Sequence, residues 1–179
     1  MPQPLNDEKI TVWCGFTSSF ILDPFFFEEE RNGQLKTTTV DGKRYQDMLE
    51  SFVIPALRNL PGDQMEHLIY QQDGAPPHIY RPVKQALQES FENRIISRHF
   101  ENAWPARSPD LNPLDYWFWG YMKSRVFAHA PASLQDLKKA IRDEISSISV
   151  AQLNAAVQNF SKRVKVLVDV KGGHFEHLL

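Results

Sequence analysis

Asp73 and Asp115 are the residues whose types and settings lend themselves to chemistry. Asp73 closes the run His67-Leu-Ile-Tyr-Gln-Gln-Asp73 and is followed by Gly74-Ala-Pro-Pro-His78. Residues 68–70 read as a short buried strand and Asp73-Gly74 as a turn. The Asp73 carboxylate then falls at the sheet edge, where open α/β sheets present ligand-binding groups. Asn112 before Pro113 reads as an N-cap with proline in the first helical position, so Asp115 becomes the third residue of a helix. A strand-end and a helix-start carboxylate can converge on a hard divalent cation, which prefers oxygen ligands. Each acid also has an ordinary structural reading. Asp before Gly orders a turn by bonding its own backbone, and an acid in a helical first turn favours the dipole. One cysteine and scattered histidines leave no zinc spacing to compete.

The two segments carry more than two acids. Gln71-Gln-Asp73-Gly-Ala-Pro-Pro-His78 and Ser108-Pro-Asp-Leu-Asn-Pro-Leu-Asp115-Tyr resemble the motifs around the middle and last acidic residues of mariner/Tc1-type DDE/D transposases. Thr11-Val-Trp-Cys-Gly15 and the tail Gly172-Gly-His174 add to the likeness, which runs over most of the chain. Motif to motif, Asp73 matches the second family acid and Asp115 the third, with 41 residues between them. Asp110 is the runner-up for the third.

What the resemblance implies is an α/β, ribonuclease-H-like domain: a mixed sheet flanked by helices, with a C-terminal helical portion. It implies Mg²⁺-dependent (or Mn²⁺-dependent) DNA cleavage and joining at transposon ends in the nucleus, and it admits a homodimer. Two metal ions ~4 Å apart activate the attacking oxygen and stabilise the leaving one, so the two carboxylates should lie within ~8 Å. The family's first acid has no counterpart here. Asp7, Glu8 and Asp23 are poorly placed to substitute, because a metal site tolerates only small errors in ligand position. The expectation is a single catalytic core over residues 1–179 that lacks the first catalytic strand and the upstream DNA-binding region, and that is inactive alone. A non-catalytic nucleic-acid or protein binding module derived from a transposase is the alternative. A generic α/β domain with turn aspartates is a further one.

Other residues near the motifs can meet DNA. His78, Arg107, Lys123 and Arg125 are candidate nucleic-acid contacts, since phosphate contacts depend on charge more than on geometry. For Lys123 and Arg125 a solvated helix face serves equally well. Trp104, between polar residues, reads as exposed enough to stack on an unpaired base.

Composition bounds these readings. At 179 residues and 42% hydrophobic the chain can bury one sizeable core. A single cysteine, Cys14, rules out an internal disulfide and fits a reducing compartment. No apolar run approaches the ~20 residues of a membrane span. The net charge of −2 hides an asymmetry: −5 over residues 1–70 and +3 over residues 71–179. The basic side begins where the first motif begins, which suits a DNA-facing surface.

The elements that must position these residues follow from periodicity. Residues 9–16 and 20–27 read as a hairpin around Thr17-Ser18-Ser19, with 28–33 as a charged turn and 35–40 as a further strand. Asp41 precedes a helix with Tyr45, Met48, Leu49, Phe52, Val53 and Ala56 on one stripe, which Pro55 should kink or end. A helix burying Ile79, Val83, Ala86, Leu87 and Ser90 leads to a strand at Ile95-Ile96. A loop over residues 99–111 then precedes three helices. These bury Leu114, Trp117, Phe118, Tyr121 and Met122; then Leu134, Leu137, Ile141, Ile145 and Ile148; then Leu153, Val157, Phe160, Val164 and Leu167.

Overall fold

The computed structural model describes residues 9–106 and 108–170. In chain order the elements begin with β1 (Val12–Trp13), β2 (Phe25–Phe26), β3 (Glu28–Arg31), β4 (Gln34–Thr37) and α1 (Gly42–Met48). A π-helical turn (Leu49–Val53) leads into α2 (Ile54–Arg58), followed by α3 (Gln64–His67), β5 (Tyr70–Gln71), a 3₁₀ turn (Pro76–Ile79), α4 (Arg81–Phe91) and β6 (Ile95–Ile96). A 3₁₀ turn (Pro109–Leu111) and a π-helical turn (Leu114–Phe118) precede α5 (Trp119–Ala128), α6 (Leu134–Ser147) and α7 (Val150–Asp169). The chain divides into two units, Phe25–Arg107 and Met1–Pro24 with Ser108–Leu179. The first holds Asp73 and the second Asp115. Helices combined with parallel and antiparallel strand pairs make an α/β fold, as expected, although each sheet is a single pair of short strands.

In the Asp73 unit, β3 and β4 pair antiparallel with Arg31 opposite Gln34, so the connection is the two residues Asn32-Gly33. Both have positive φ, 54° and 73°, as the tight hairpin turn that matches strand twist requires. The expected charged turn over 28–33 is therefore corrected: Glu28–Arg31 is strand, and only Asn32-Gly33 turns. Asp41 caps α1 by accepting from the Arg44 N–H at 2.8 Å. Pro55 neither ends the helix nor breaks it, because the ladder widens to the π form just ahead of it. The extra residue in that wide turn rotates the stripe by one position, so Ile54 and Leu57 are buried where Ala56 was expected to be.

β5 and β6 pair parallel, with Tyr70 opposite Ile95 and Gln71 opposite Ile96, and α4 is the crossover that a parallel pair needs. Val83, Ala86, Leu87 and Phe91 form its buried face; Phe91 rather than Ser90 completes it. The ladder starts later than expected. Residues 64–67 are helical, and Ile69, expected to be buried in a strand, is 62% exposed. Trp104 is buried in this unit, at 7% exposure, so it offers no face for stacking on a base.

In the Asp115 unit the expected hairpin corner is present. Thr17 N–H donates to the Phe20 carbonyl at 2.8 Å, Leu22 N–H to the Gly15 carbonyl at 2.9 Å, and Phe16 bridges Ile21 antiparallel. The core centres on Phe118, Met122, Val126, Ile145 and Leu153, with Cys14 packed among them. That burial raises the Cys14 thiol to about 12, which keeps it protonated and inert. Ser149 starts α7 with a reciprocal capping box to Gln152. Only Leu153 and Ala156 of α7 are fully buried. Val157, Phe160, Val164 and Leu167 are half-buried, so the expected inward stripe weakens along the helix.

Candidate active site

Asp73 lies two residues beyond the carboxyl end of β5, so a parallel strand delivers it to a sheet edge as the sequence implies. Its Oδ1 accepts from the Ala75 N–H at 3.0 Å and lies 2.6 Å from His78 Nδ1. The same Nδ1 is 3.2 Å from the Asp73 carbonyl oxygen, and two acceptors on one ring nitrogen place the proton there. The His78 contact holds the Asp73 carboxyl below its ordinary range, against the opposing effect of burial and with help from the Ala75 amide. Asp73 is therefore an ionised, half-exposed carboxylate with one oxygen engaged; among the described residues its Oδ2 takes no hydrogen bond. An anionic oxygen open at a sheet edge fits a hard divalent cation. The turn-ordering role of an Asp before Gly is realised in the same side chain.

Beneath this loop lies a polar network that sequence reading missed. Gln72 is 6% exposed; its Nε2 donates to the His78 carbonyl at 3.1 Å and to Ser97 Oγ at 3.1 Å, and its Oε1 accepts from Tyr45 Oη at 2.9 Å. The Tyr45 ring also packs on the His78 ring, with centroids 4.5 Å apart. Tyr70 Oη sits 3.2 Å from Tyr45 Oη, and loss of water raises the Tyr70 phenol to about 12. A buried side-chain network of this kind fixes geometry only when its members are paired. His78, a candidate phosphate contact, holds Asp73 from a partly buried position, with 20% of its side chain exposed. The one available signal was Gln72 itself, an amide directly past a short apolar strand run and beside Gln71. Arg98 was also overlooked; its stem covers Gly74, and a Cβ there would come within 2.7 Å of Arg98 Cδ.

Asp115 sits in the first turn of the helix that begins after Asn112. Asn112 caps as expected: its Oδ1 accepts from the Leu114 N–H at 3.2 Å, and its carbonyl accepts from Asp115 N–H at 2.9 Å. Its amide also donates to Asp115 Oδ2 at 2.8 Å. Asp115 is exposed. The loop ahead of it is clamped from α7, where Arg163 Nη1 donates to the Asp110 carbonyl at 2.8 Å. The Arg163 guanidinium also lies 4.0 Å over the Tyr116 ring. Tyr116 Oη donates to the Ala156 carbonyl, and burial raises its phenol. Asp110, the runner-up acid, thus contributes its backbone oxygen to the clamp.

Of the remaining candidates, Lys123 is exposed on α5. Arg125 donates from Nε to Glu144 Oε2 at 3.0 Å, and His129 Nε2 lies 2.9 Å from Oε1 of the same carboxylate. Glu144 is 6% exposed, so Arg125 compensates a buried charge, and the hydrogen bonds from His129 first and Arg125 second hold its carboxyl below the ordinary range. Arg107 lies outside the described residues, as do Asp7, Glu8 and the 172–174 tail. Among the described residues no three His, Cys, Asp or Glu side chains are grouped as for a metal ion. No helix among them is long and apolar enough to cross a membrane.

Asp73 thus stands just past a parallel strand in one unit, and Asp115 in a helical first turn in the other. The chain is similar to transposases of the mariner and Tc1 type. It is 27% identical over 165 residues to the Tc3 transposase of Caenorhabditis elegans, an overlap of 91% of this chain and 44% of that protein. To the Tc1 transposase of the same organism it is 24% identical over 171 residues, covering 92% and 53%. The chain thus spans about half the length of the curated relatives it matches. No family model matches. The fold is similar to the catalytic domain of Mos1 mariner transposase, with a TM-score of 0.78, 23% identity, and 97% of this chain covered against 79% of that one. Against the Mos1 paired-end complex with Mn the TM-score is 0.75 at 23% identity, covering 97% and 47%.

Proposed function

We propose that this chain is a ribonuclease-H-like DDE/D transposase core that takes part in Mg²⁺- or Mn²⁺-dependent cleavage and transfer of DNA at transposon ends, with Asp73 and Asp115 as metal ligands. The observation that carries the reading is Asp73 itself: an ionised carboxylate, open on one oxygen, delivered by a parallel strand inside a chain alignable to Tc3 transposase over 91% of its length. In such chemistry the bound cations make a water or hydroxyl oxygen nucleophilic and stabilise the leaving oxygen. The residues present serve that end by position. His78 keeps Asp73 anionic and oriented. Asn112 and Arg163 fix the turn that carries Asp115. Lys123 and the remaining donors of Arg125 face solvent, where they can meet DNA phosphates, and Arg107 is assigned the same role from the sequence. The protein would act in the nucleus, and the whole chain would serve as one catalytic core.

No acid among the 179 residues matches the family's first, so these residues by themselves are expected to bind Mn²⁺ without nicking DNA. The test is nicking of supercoiled plasmid with and without Mn²⁺. Two proteins are compared: the chain itself, and the chain joined behind an added segment that carries an Asp-bearing strand. The joined protein should nick, and Asp73→Asn or Asp115→Asn should abolish nicking with the fold intact. Nicking that survives both substitutions would show that the acids are wrongly assigned. A joined protein that binds DNA in the presence of Mn²⁺ and never cuts would favour a binding module.

A further inference from the structure

The geometry points to Arg98 as a phosphodiester-binding residue beside Asp73, an inference that rests on the reading of this site as one that handles DNA. Because β5 and β6 are parallel and Gln71 pairs with Ile96, the residues two beyond each strand end emerge at the same edge: Asp73 after β5 and Arg98 after β6. The root of Arg98 is fixed from behind. Ser97 is fully buried, its N–H donates to the Asn102 carbonyl at 3.1 Å, and its Oγ accepts from Gln72 Nε2 at 3.1 Å. The chain leaves immediately afterwards through His99, at a positive φ of 65°. The Arg98 stem lies on Gly74, within the reach that any larger residue there would occupy. Its exposed guanidinium has no hydrogen-bond or ion-pair partner among the described residues.

The neighbouring carboxylate does not claim this cation, because Asp73 is already paired with His78. An anchored, uncommitted guanidinium at the carboxyl edge of a parallel pair matches a phosphate oxygen pair, which its planar fork binds at two points. The ordinary alternative is that Arg98 only covers Gly74 with its methylene stem, as long cationic side chains do on apolar surface. Arg98→Gln separates the two roles, since it keeps most of the stem and loses the charge. Arg98→Lys keeps both stem and charge.

The experiment measures binding of the chain to a fluorescent DNA duplex across a series of NaCl concentrations with Mn²⁺ present, with melting curves to check the fold. Losing one phosphate contact lowers the slope of log affinity against log salt by about 0.9. Arg98→Gln should show that loss, Arg98→Lys should retain the wild-type slope, and both should bind Mn²⁺ as wild type does. Two results would overturn the assignment: an unchanged slope in Arg98→Gln, whether or not affinity falls, or a wild-type chain that does not bind the duplex. Mn²⁺ affinity of Asp73→Asn is measured alongside. If Asp73→Asn loses Mn²⁺ while Arg98→Gln keeps the wild-type slope, the phosphate contact fails and the metal-site reading stands. If Asp73→Asn keeps Mn²⁺, the metal-site reading fails instead.

Discussion

The two candidate acids are held by different physics. Asp73 rests on a buried lattice of neutral polar groups, in which Gln72 joins Tyr45, Ser97 and the His78 carbonyl. Asp115 rests on a helix start, capped by Asn112 and clamped from α7 by Arg163. The first support is a network whose members depend on one another, and removing one leaves others unpaired in a low-dielectric interior. The second is local and exposed, so water can replace what is lost. Damage near Asp73 should therefore spread through its unit, while damage near Asp115 should stay at the helix start.

The largest expected effect tests that contrast at its strongest point. Gln72→Leu removes the amide that serves Ser97 Oγ and the His78 carbonyl and takes one acceptor from Tyr45 Oη, which keeps Tyr70 Oη; at roughly 1–3 kcal/mol per unsatisfied buried group the loss should reach about 3 kcal/mol in urea unfolding. A loss under about 1 kcal/mol would mean that the network relaxes or admits water. Asn112→Ala, in the other unit, should cost about 1 kcal/mol, the ordinary value of an N-cap. If the two substitutions cost the same, the contrast between network and cap collapses.

A smaller effect concerns pH. The Asp73 carboxyl is lowered in the folded chain, chiefly by His78, so its contribution is present above the unfolded value near 3.8 and is lost as pH falls through the lower folded value. Wild type should thus lose stability more steeply than Asp73→Asn as pH falls through and below 3.8. The difference should be modest, because the side chain is 43% exposed and water screens the pair. Asp63, Glu29 and Glu144 are lowered too and give the common background slope, so the difference between the two curves is the quantity to follow. Parallel curves would mean that the His78 contact does not form in solution.

What the sequence revealed of all this follows the range of the forces involved. Local signals were readable. Asn112-Pro113 announced the helix that carries Asp115, the apolar spacing that starts at Leu134 and at Leu153 announced α6 and α7, and the apolar run before Asp73 announced a strand. The Asn32-Gly33 hairpin was equally local, but the charges on both sides of it suggested a turn instead of strands. The π-helical turn before Pro55 shifted a stripe by one residue, an adjustment that a fixed 3.6 period cannot express. Contacts between distant residues left no local mark: Gln72 with Tyr45 and Ser97, Arg163 with Asp110, and Arg125 with the buried Glu144. Arg125 looked like a free surface cation because its partner lies 19 residues away on the next helix.

The proposal that Asp73 and Asp115 are both metal ligands is tested most directly by Mn²⁺ titration calorimetry on wild type, Asp73→Asn, Asp115→Asn and the double variant. Losing a group that merely orients a metal ligand costs ~10–100-fold in affinity, so losing either ligand should cost at least tenfold. If the carboxylates share the site, the double variant should be little worse than the weaker single one, because the first loss already dismantles what the second residue served. Losses that simply add, or a variant that binds Mn²⁺ as wild type does, would contradict a shared site.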